Sequence, residues 1–419
     1  MVFHKSILEG HCMKIIVYEH VSGGGYAEQP VPMGFLCEGY AMLRCVAADF
    51  KAAGHEVTVL MDARISKLNP PIDADSIVPV FYPKENEKFL VVLSKINDAV
   101  YVIAPETGQT LQSLVDLVEK TGKNSLNCES QAIGKVADKT YLYSELKKHS
   151  FPTPKTLVIN INDSLTMIKQ TINRELNYPF ILKPSDGVGC SGLSLVKEES
   201  QIKKAVDKIK SESKSTSFIA QAFIKVQSAS VSVWSTGKKA LAISLNSQNI
   251  ILADATGVSS YEGGSVPLDY WLKQDIFKIA EKVVEAFPGL KGYVGVDVVL
   301  TEHKAFIVDV NPRLTTSYVG LRKVANFNVA KALVEAVSNG KLPSKPENRG
   351  VVCFSKIETP KPSANAFQKT AKLDSVVSPP FPLDSSDKSC ALLIGDGENL
   401  DIAQQHLEEA KKHLLNILT

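Results

Sequence analysis

The chain has 419 residues, too many for one ordinary core, and its 44% apolar and 22% charged residues are the composition of two or three folded domains rather than of a disordered protein. A net charge of +2 on scattered lysines gives no electrostatic case for nucleic acid as a partner, and no uninterrupted apolar run approaches the roughly 18 residues that a membrane span needs. Seven cysteines, an odd number with no Cys-x-x-Cys pair and no zinc-finger spacing, fit free thiols in a reducing cytoplasm.

Glu9, His11 and Lys14 interrupt any secretory apolar core, and the first natural strand begins at Met13, so residues 1–12 are expected to be a loose tail or an over-long start. From 13 to 127 the pattern alternates strand and helix, with strands expected at 14–18, 56–61, 77–81 and 99–103. A helix over 38–53 carries Leu43, Val46, Ala47 and Phe50 on one stripe, and Gly54 stops it. Such repetition implies a parallel α/β domain whose binding loops gather at the carboxyl ends of its strands. Glu19, Gly23-Gly24-Gly25 and Glu38 stand out there. The glycine triplet reads equally well as a plain turn, while the 19–37 loop is long enough to suggest a ligand or a lid.

A second unit is expected over 128–342. It opens with helical spacing at Ile133, Val136, Ala137 and Leu142, broken by Phe151-Pro152-Thr153-Pro154. A strand at 156–160, a helix near 163–176, a strand through Phe180-Ile181-Leu182 and a helix over 201–212 follow. Strands dominate to about 245, then come helices at 274–287 and near 326–338. Pro343-Ser344-Lys345-Pro346 reads as a linker. Residues 343–419 hold strands at 351–357 and 390–394 and a helix over 398–418, either completing the fold as an α/β extension or supporting a homodimer.

Gly187-Val188-Gly189-Cys190-Ser191-Gly192 satisfies G-x-G-x-x-G, but Leu193-Ser194-Leu195-Val196 after it is strand-like, whereas a dinucleotide fingerprint needs a helix there. Strand–glycine loop–strand is a hairpin: a flap over phosphates, or a mobile surface turn. Its glycines let backbone N–H groups converge on an anion, and Ser185 and Ser191 add hydroxyls. The kinase catalytic motifs are missing. A small residue that fits the turn accounts for Cys190 better than redox control does. Lys183, on an otherwise apolar strand just before the loop, either pairs with phosphate oxygens or faces solvent from an edge strand. Lys139 alone reads as surface charge on a helix, and Gln221-Ala222-Phe223-Ile224 as a core strand of the sort that passes a purine ring.

Alternation through Val296, Val298 and Leu300, and again through Phe306-Ile307-Val308, predicts two adjacent strands joined by Glu302-His303-Lys304. Pairing them brings Asp297 close to Asp309 and Asn311, with Arg313 next door. Mg²⁺ takes one or two carboxylates plus phosphate oxygens, so three hard oxygen donors suit a metal–nucleotide. The alternative is a hairpin end with solvated aspartates. Arg313 in turn either serves chemistry or pairs with Asp309, and Thr315, Thr316, Ser317 and Arg322 either touch substrate or cap the next helix.

In this order, Asp138-Lys139, Pro152-Thr153-Pro154-Lys155-Thr156, Ile181-Leu182-Lys183-Pro184, the glycine loop, Gln221-Ala222-Phe223-Ile224, Asp297 and Asp309-Val310-Asn311-Pro312-Arg313 resemble the ATP-grasp superfamily over roughly 130–325. Tyr18 through Gly25, Glu38 through Leu43, Leu245 through Gln248 and Asn311 through Arg322 are more narrowly similar to the archaeal tyramine–glutamate ligase group. The resemblance implies an ATP-grasp fold of α/β and α+β domains behind an N-terminal pre-ATP-grasp domain, with a flap-bearing subdomain near 183–225. It implies ATP and Mg²⁺ (Mn²⁺ an alternative) as cofactors. Lys139 and Lys183 would contact the α- and β-phosphates, with Ser185, Gly187, Gly189, Ser191 and Gly192 in the flap over the β- and γ-phosphates. Gln221, Phe223 and Ile224 would line the nucleotide site, and Asp297, Asp309 and Asn311 would hold the metal. Lys183 and Arg313 would be catalytic, Arg313 steadying an acyl phosphate and the oxyanion formed on amine attack. Two departures stand out. Asp309 replaces the family's usual Glu, which bears on symmetric bridging of two Mg²⁺ ions, and Ala222 stands where relatives carry an acidic ribose partner. The implied activity is an ATP-dependent carboxylate–amine ligase acting on small molecules, joining glutamate or a similar acidic amino acid to an amine such as tyramine. Activation of bicarbonate or a peptide carboxyl, and a non-catalytic ATP-binding regulator, are the alternatives.

Overall fold

The structure, a computed structural model, describes residues 12–187, 189–344, 346–383 and 387–419. The expected tail over 1–12 therefore lies, except for Cys12, outside the described residues, as does Val188 of the glycine loop.

The first sheet is built from β1 (Lys14–Glu19), β2 (Glu56–Asp62), β3 (Ser76–Val80), β4 (Ala99–Ile103) and β5 (Asn124–Ser125), all parallel in the order β3-β2-β1-β4-β5. Helices α1 (Met33–Ala52), α2 (Ala63–Ser66), α3 (Glu85–Ser94) and α4 (Thr110–Lys120) connect the strands. Strand order reverses between β1 and β4, and crevices outside the carboxyl ends of such strands are where open α/β sheets bind ligands. Glu19 closes β1, and Glu106 lies three residues beyond β4.

Helix α1 starts five residues earlier than expected, at Met33 behind Pro32. Gly34 and Gly39 dilute its helical pattern, although Pro30 and Pro32 mark its start. It is buried on almost every face, from Leu36 to Phe50. The shortened loop before it is tied down by its own hydrogen bonds. Gly23 N donates to Glu19 O at 2.7 Å and Gly25 N to His20 O at 2.8 Å, while Arg64 donates to the carbonyls of Tyr26 and Gln29. Gly39 is required by contact, since a Cβ there would stand 2.5 Å from the Glu19 carboxylate.

Helices α5 (Ser130–Ala137) and α6 (Lys139–Lys148) follow. Asp138 separates them with an extended backbone and caps α6, accepting from Thr140 N at 2.8 Å. The second sheet, β6-β9-β7-β8, joins β6 (Thr156–Asn160), β7 (Phe180–Pro184), β8 (Ser194–Val196) and β9 (Ser217–Ala222). It packs on α7 (Leu165–Glu175) and α8 (Ile202–Glu212) through a core that includes Ile172, Phe180, Leu182, Ile202, Val206 and Ile209. Each such side chain contributes about 1.5–3 kcal/mol by leaving water.

The third sheet, β11-β10-β15-β16, is antiparallel and contains the predicted hairpin. It is made of β10 (Gln227–Thr236), β11 (Ala240–Ser247), β15 (Lys291–Leu300) and β16 (Ala305–Asn311), with α9 (Lys273–Glu285) against it. Between β11 and α9 lie β12 (Ile250–Ile251), β13 (Ser260–Tyr261) and β14 (Gly263–Val266). After β16 come α10 (Tyr318–Val324), which the sequence reading did not resolve, and α11 (Val329–Asn339).

The last 70 residues form β17 (Val351–Pro360), α12 (Ala364–Thr370), β18 (Val376–Ser378), β19 (Lys388–Gly397) and α13 (Leu400–Leu418). Their sheet, β14-β17-β19-β18, takes its edge strand from residues 263–266. One core runs through Phe50 and Tyr101, Trp234 and Tyr293, and Phe354, Phe381 and Leu392, so this segment is continuous with the two before it. Helix α1 packs against both the first sheet and β18 and β19. All seven cysteines are free, and no described helix is long and apolar enough to cross a membrane.

Candidate active site

Antiparallel pairing sets Asp297 directly opposite Asp309 and Gly295 opposite Asn311. The register then slips: Val298 faces Ile307, leaving Val308 as an extra residue, a bulge that turns the end of β16. Asn311 Nδ2 donates to Asp297 Oδ2 at 2.9 Å, and Gln248 Nε2, just past β11, donates to Oδ1 at 2.9 Å. Burial, and then the Asp309 charge, push the Asp297 carboxyl up to about 6, with the two amides pulling it back.

Two lysines meet this pair. Lys183, fourth residue of β7, is 9% exposed and donates from Nζ to the bulge carbonyl of Val308 at 3.3 Å. Burial lowers its pKa to about 8; Asp309 opposes that shift and Lys139 adds to it. Lys139 is the first residue of α6 and 7% exposed, and its ammonium bonds the Asp309 carboxylate. Burial lowers its pKa, but Asp309, Glu106 and Asp297 outweigh burial, so it rises overall. The kink at Asp138 makes this burial possible, because it swings Lys139 N onto Ser185 O at 2.9 Å. The positive end of α6 points the same way.

The glycine loop joins β7 to β8 as a hairpin, with Phe180 opposite Val196 and Leu182 opposite Ser194. Gly189, Cys190 and Gly192 all have φ near +60° to +68°, the left-handed geometry in which successive N–H groups turn toward an anion. Ser191 Oγ and Gly192 N donate to Glu212 Oε2 at 3.0 and 2.6 Å, a carboxylate on the loop's own donors. Gly187 packs on Pro184, where a Cβ would be 2.7 Å from Cγ. Ser185 is buried and its hydroxyl bonds that of Ser215. Burial raises the Cys190 thiol to about 11, the behaviour of an inert side chain. Gln221 lies on β9, its amide donating to Thr156 Oγ1 at 2.8 Å. The strand ends at Ala222, so Phe223 and Ile224 are half-buried just beyond it.

Arg313 does not pair with Asp309. Its Nε donates to Glu106 Oε2 at 3.0 Å and its Nη1 to Leu314 O at 3.0 Å. Thr316 Oγ1 donates to Glu38 Oε2 at 2.9 Å, and Lys356 of β17 donates to Glu38 Oε1 at 2.8 Å. Arg322 is engaged elsewhere, with Nε and Nη2 on Asp49 of α1, which also accepts from Tyr318. Ser317 precedes α10 without a side-chain cap bond. Glu106 and Lys356 were not singled out from the sequence, and Gln248 only as the end of the 245–248 segment of the resemblance, with no role given to it. Glu106 follows a strand's carboxyl end, the signal that picked out Glu19, whereas Gln248 and Lys356 become visible only with the tertiary pairing.

Among the described residues no group of three or more His, Cys, Asp or Glu side chains could hold a metal. The candidate donors are two carboxylates and the Asn311 amide, whose nitrogen is on Asp297 and whose oxygen is left for a cation. So few protein ligands suit Mg²⁺, which keeps water and phosphate oxygens in its shell. Of the two buried ammonium groups, Lys139 bonds a carboxylate and Lys183 a carbonyl, an excess of positive charge that suits an anion such as a nucleotide's phosphates. The donor set therefore fits both Mg²⁺ and ATP.

Residues 136–317 match the family model described as an ATP-grasp domain, and residues 55–133 match that of the pre ATP-grasp 3 domain. The chain is 29% identical over 335 residues, 79% of its length and 91% of the relative's, to the tyramine–L-glutamate ligase of Methanocaldococcus jannaschii. In fold it is similar to the biotin carboxylase domain of Hydrogenobacter thermophilus 2-oxoglutarate carboxylase, solved with MgADP and bicarbonate (TM-score 0.71, 13% identity, 96% of this chain and 90% of that one). It is also similar in fold to carboxyaminoimidazole ribonucleotide synthase of Aspergillus clavatus complexed with ATP (TM-score 0.67, 16% identity, 97% and 99%).

Proposed function

Because this chain belongs to the ATP-grasp superfamily and is a carbon–nitrogen ligase, we propose that it joins glutamate, or a similar acidic amino acid, to tyramine or a related amine, forming ADP and phosphate. The observation that carries this reading is the meeting of Lys139 and Lys183 with Asp297, Asp309 and Asn311 at the mouth of the glycine hairpin. The similarity to tyramine–L-glutamate ligase over most of both chains supports the choice of substrates.

Lys139 and Lys183 bind the α- and β-phosphates, and the N–H groups of Gly189, Ser191 and Gly192 close over the β- and γ-phosphates. Phe223 and Ile224 flank the base. Asp297, Asp309 and Asn311 hold Mg²⁺, or Mn²⁺ in its place, which when bound neutralises charge on the phosphates. The substrate carboxylate attacks the γ-phosphorus in line and becomes an acyl phosphate. An amine then displaces phosphate at the acyl carbon, with Arg313 facing the oxyanion. Phosphoryl transfer needs position and charge more than covalent help, and these residues supply both. The substrates are small molecules, with neither nucleic acid nor membrane as partner, and the setting is cytoplasmic; the scattered charge and free thiols support this.

The experiment is turnover of purified protein with ATP, Mg²⁺ and glutamate, with and without a panel of amines including tyramine, read by mass spectrometry. An amide with ADP and phosphate, dependent on the carboxylate–amine pair, is expected. AMP with pyrophosphate would sink the acyl-phosphate route, and turnover with bicarbonate alone would reassign the acceptor.

A further inference from the structure

We infer that Glu106 is the residue that receives the amine substrate, holding its ammonium through Oε1 and taking its proton as the C–N bond forms; the inference rests on the ligase reading above. Three carboxylates gather around Arg313 and the carboxyl ends of β1 and β4, and two are already occupied. Glu19 Oε1 accepts Val21 N at 3.1 Å and its Oε2 accepts Ser22 N and Oγ at 2.7 and 2.6 Å. Glu38 holds Lys356 and Thr316. Glu106 is 6% exposed, its Oε2 accepts Arg313 Nε, and its Oε1 is buried with no hydrogen-bond partner.

A buried carboxylate oxygen left unpaired is costly, and a charged N–H donor from a ligand would satisfy it. The place is right for the amine, because Glu106 fixes the arginine that faces the acyl carbon and lies close enough to Lys139 to stabilise its charge. It also sits at the switch between β1 and β4, the crevice where ligands enter such sheets.

An alkylamine arrives protonated at neutral pH and has no lone pair for attack. Transfer of one proton from nitrogen to Glu106 Oε1 frees that pair, which forms the C–N bond. The second proton passes from the now cationic nitrogen to a phosphate oxygen as the C–O bond to phosphate breaks, so its electrons and that proton leave together as inorganic phosphate. Protonation of Glu106 also removes the negative partner of Arg313 at the moment the oxyanion forms, releasing the guanidinium charge toward it. One side chain thereby couples amine activation to oxyanion stabilisation.

Hydroxylamine separates this role from a structural one, because it is uncharged at neutral pH and attacks acyl phosphates without help. Wild-type protein with ATP, Mg²⁺ and glutamate is expected to give both the hydroxamate and, with tyramine, the amide. E106Q keeps the shape and is expected to lose ~10²-fold or more in kcat/KM for tyramine, within the usual range for acid–base groups, and at least ~10-fold more than it loses in hydroxamate formation, which registers any effect passed through Arg313. E106D, with a shorter carboxylate, repeats the test should E106Q not fold, and is expected to depress tyramine turnover more than hydroxylamine turnover. Equal loss of both reactions would show that Glu106 acts only by positioning Arg313, and unchanged tyramine kinetics would remove it from the reaction. A wild type making neither product would overturn the ligase reading itself, and this inference with it.

Discussion

Replacing Lys183 with arginine is expected to abolish a proton uptake that accompanies ATP binding above pH 8. Burial holds the Lys183 pKa at about 8, against 10.5 for a free lysine. On a two-state titration the side chain is ~90% neutral at pH 9 and ~10% neutral at pH 7. Phosphate oxygens beside it favour the ammonium, so each ATP bound should draw in ~0.9 proton at pH 9 and ~0.1 at pH 7. The sign follows: affinity is complete below pH 8 and is lost as pH rises through it, by ~10-fold at pH 9, or about 1.4 kcal/mol. Other groups in the cleft are silent there, since Asp297 titrates near 6, Cys190 near 11, and Lys139 is shifted upward. Isothermal titration in two buffers of different ionisation enthalpy reads the proton count directly. Arginine stays charged throughout this range, so K183R should bind ATP with no pH-dependent uptake. Uptake below ~0.3 proton in the wild type at pH 9, or equal uptake in K183R, would refute the reasoning.

Asp309 carries the ion pair with buried Lys139, so D309N should lose about 3–5 kcal/mol in urea unfolding and two to three orders of magnitude in Mg²⁺-dependent turnover; an unchanged urea midpoint contradicts this. Asp49 joins α1 to α10 through Arg322 and Tyr318, so D49N should cost several kcal/mol of stability, of order 3, with the ATP KM unchanged. A raised KM with normal stability would return Arg322 to the substrate site. Glu212 occupies Gly192 N and Ser191 Oγ, so E212A should free both donors and lower the ATP KM by about three- to tenfold, about 0.7–1.4 kcal/mol in all. A higher KM would mean that Glu212 shapes the flap for binding rather than competing with phosphate.

The carboxylate hairpin and the glycine hairpin were legible because each depends on a local pattern: alternation from Val296 to Leu300 and the apolar run from Phe180 to Leu182 announce strands whatever packs on them. The pre-ATP-grasp sheet was legible in the same way, through three buried strands and the more exposed edge strand β3, with helices between them. What stayed hidden depends on contacts between distant segments. Lys139 looks like surface charge until the break at Asp138 turns α6 toward β7. The partner of Arg313 lies 207 residues away at Glu106, beyond any spacing argument. The contribution of Lys183 rests on a bulge at Val308, which no alternation pattern specifies. The last segment reads as an extension, yet its strand β17 pairs with β14 and carries Lys356 to Glu38.

Pairing of charges within the cleft bears on how it could accept a nucleotide without first being strained by its own ions. Lys139 is held by Asp309, Arg313 by Glu106 and Lys356 by Glu38, and Asp297 by two amides. Each of these four buried charges therefore has a partner in the folded chain, and their desolvation is met during folding rather than on binding. On the proposed reading, MgATP enters by exchange. A phosphate oxygen would take Lys139 from Asp309, and the Asp309 carboxylate so released would be free to hold the metal. Both halves of the pair trade one opposite charge for another, so binding gains new contacts without burying an uncompensated ion. Lys183 differs, because Nζ bonds only a carbonyl and has no directly bonded counter-ion to surrender. It is the group whose charge the nucleotide must complete, which is why its titration, rather than that of the paired Lys139, reports occupancy of the site.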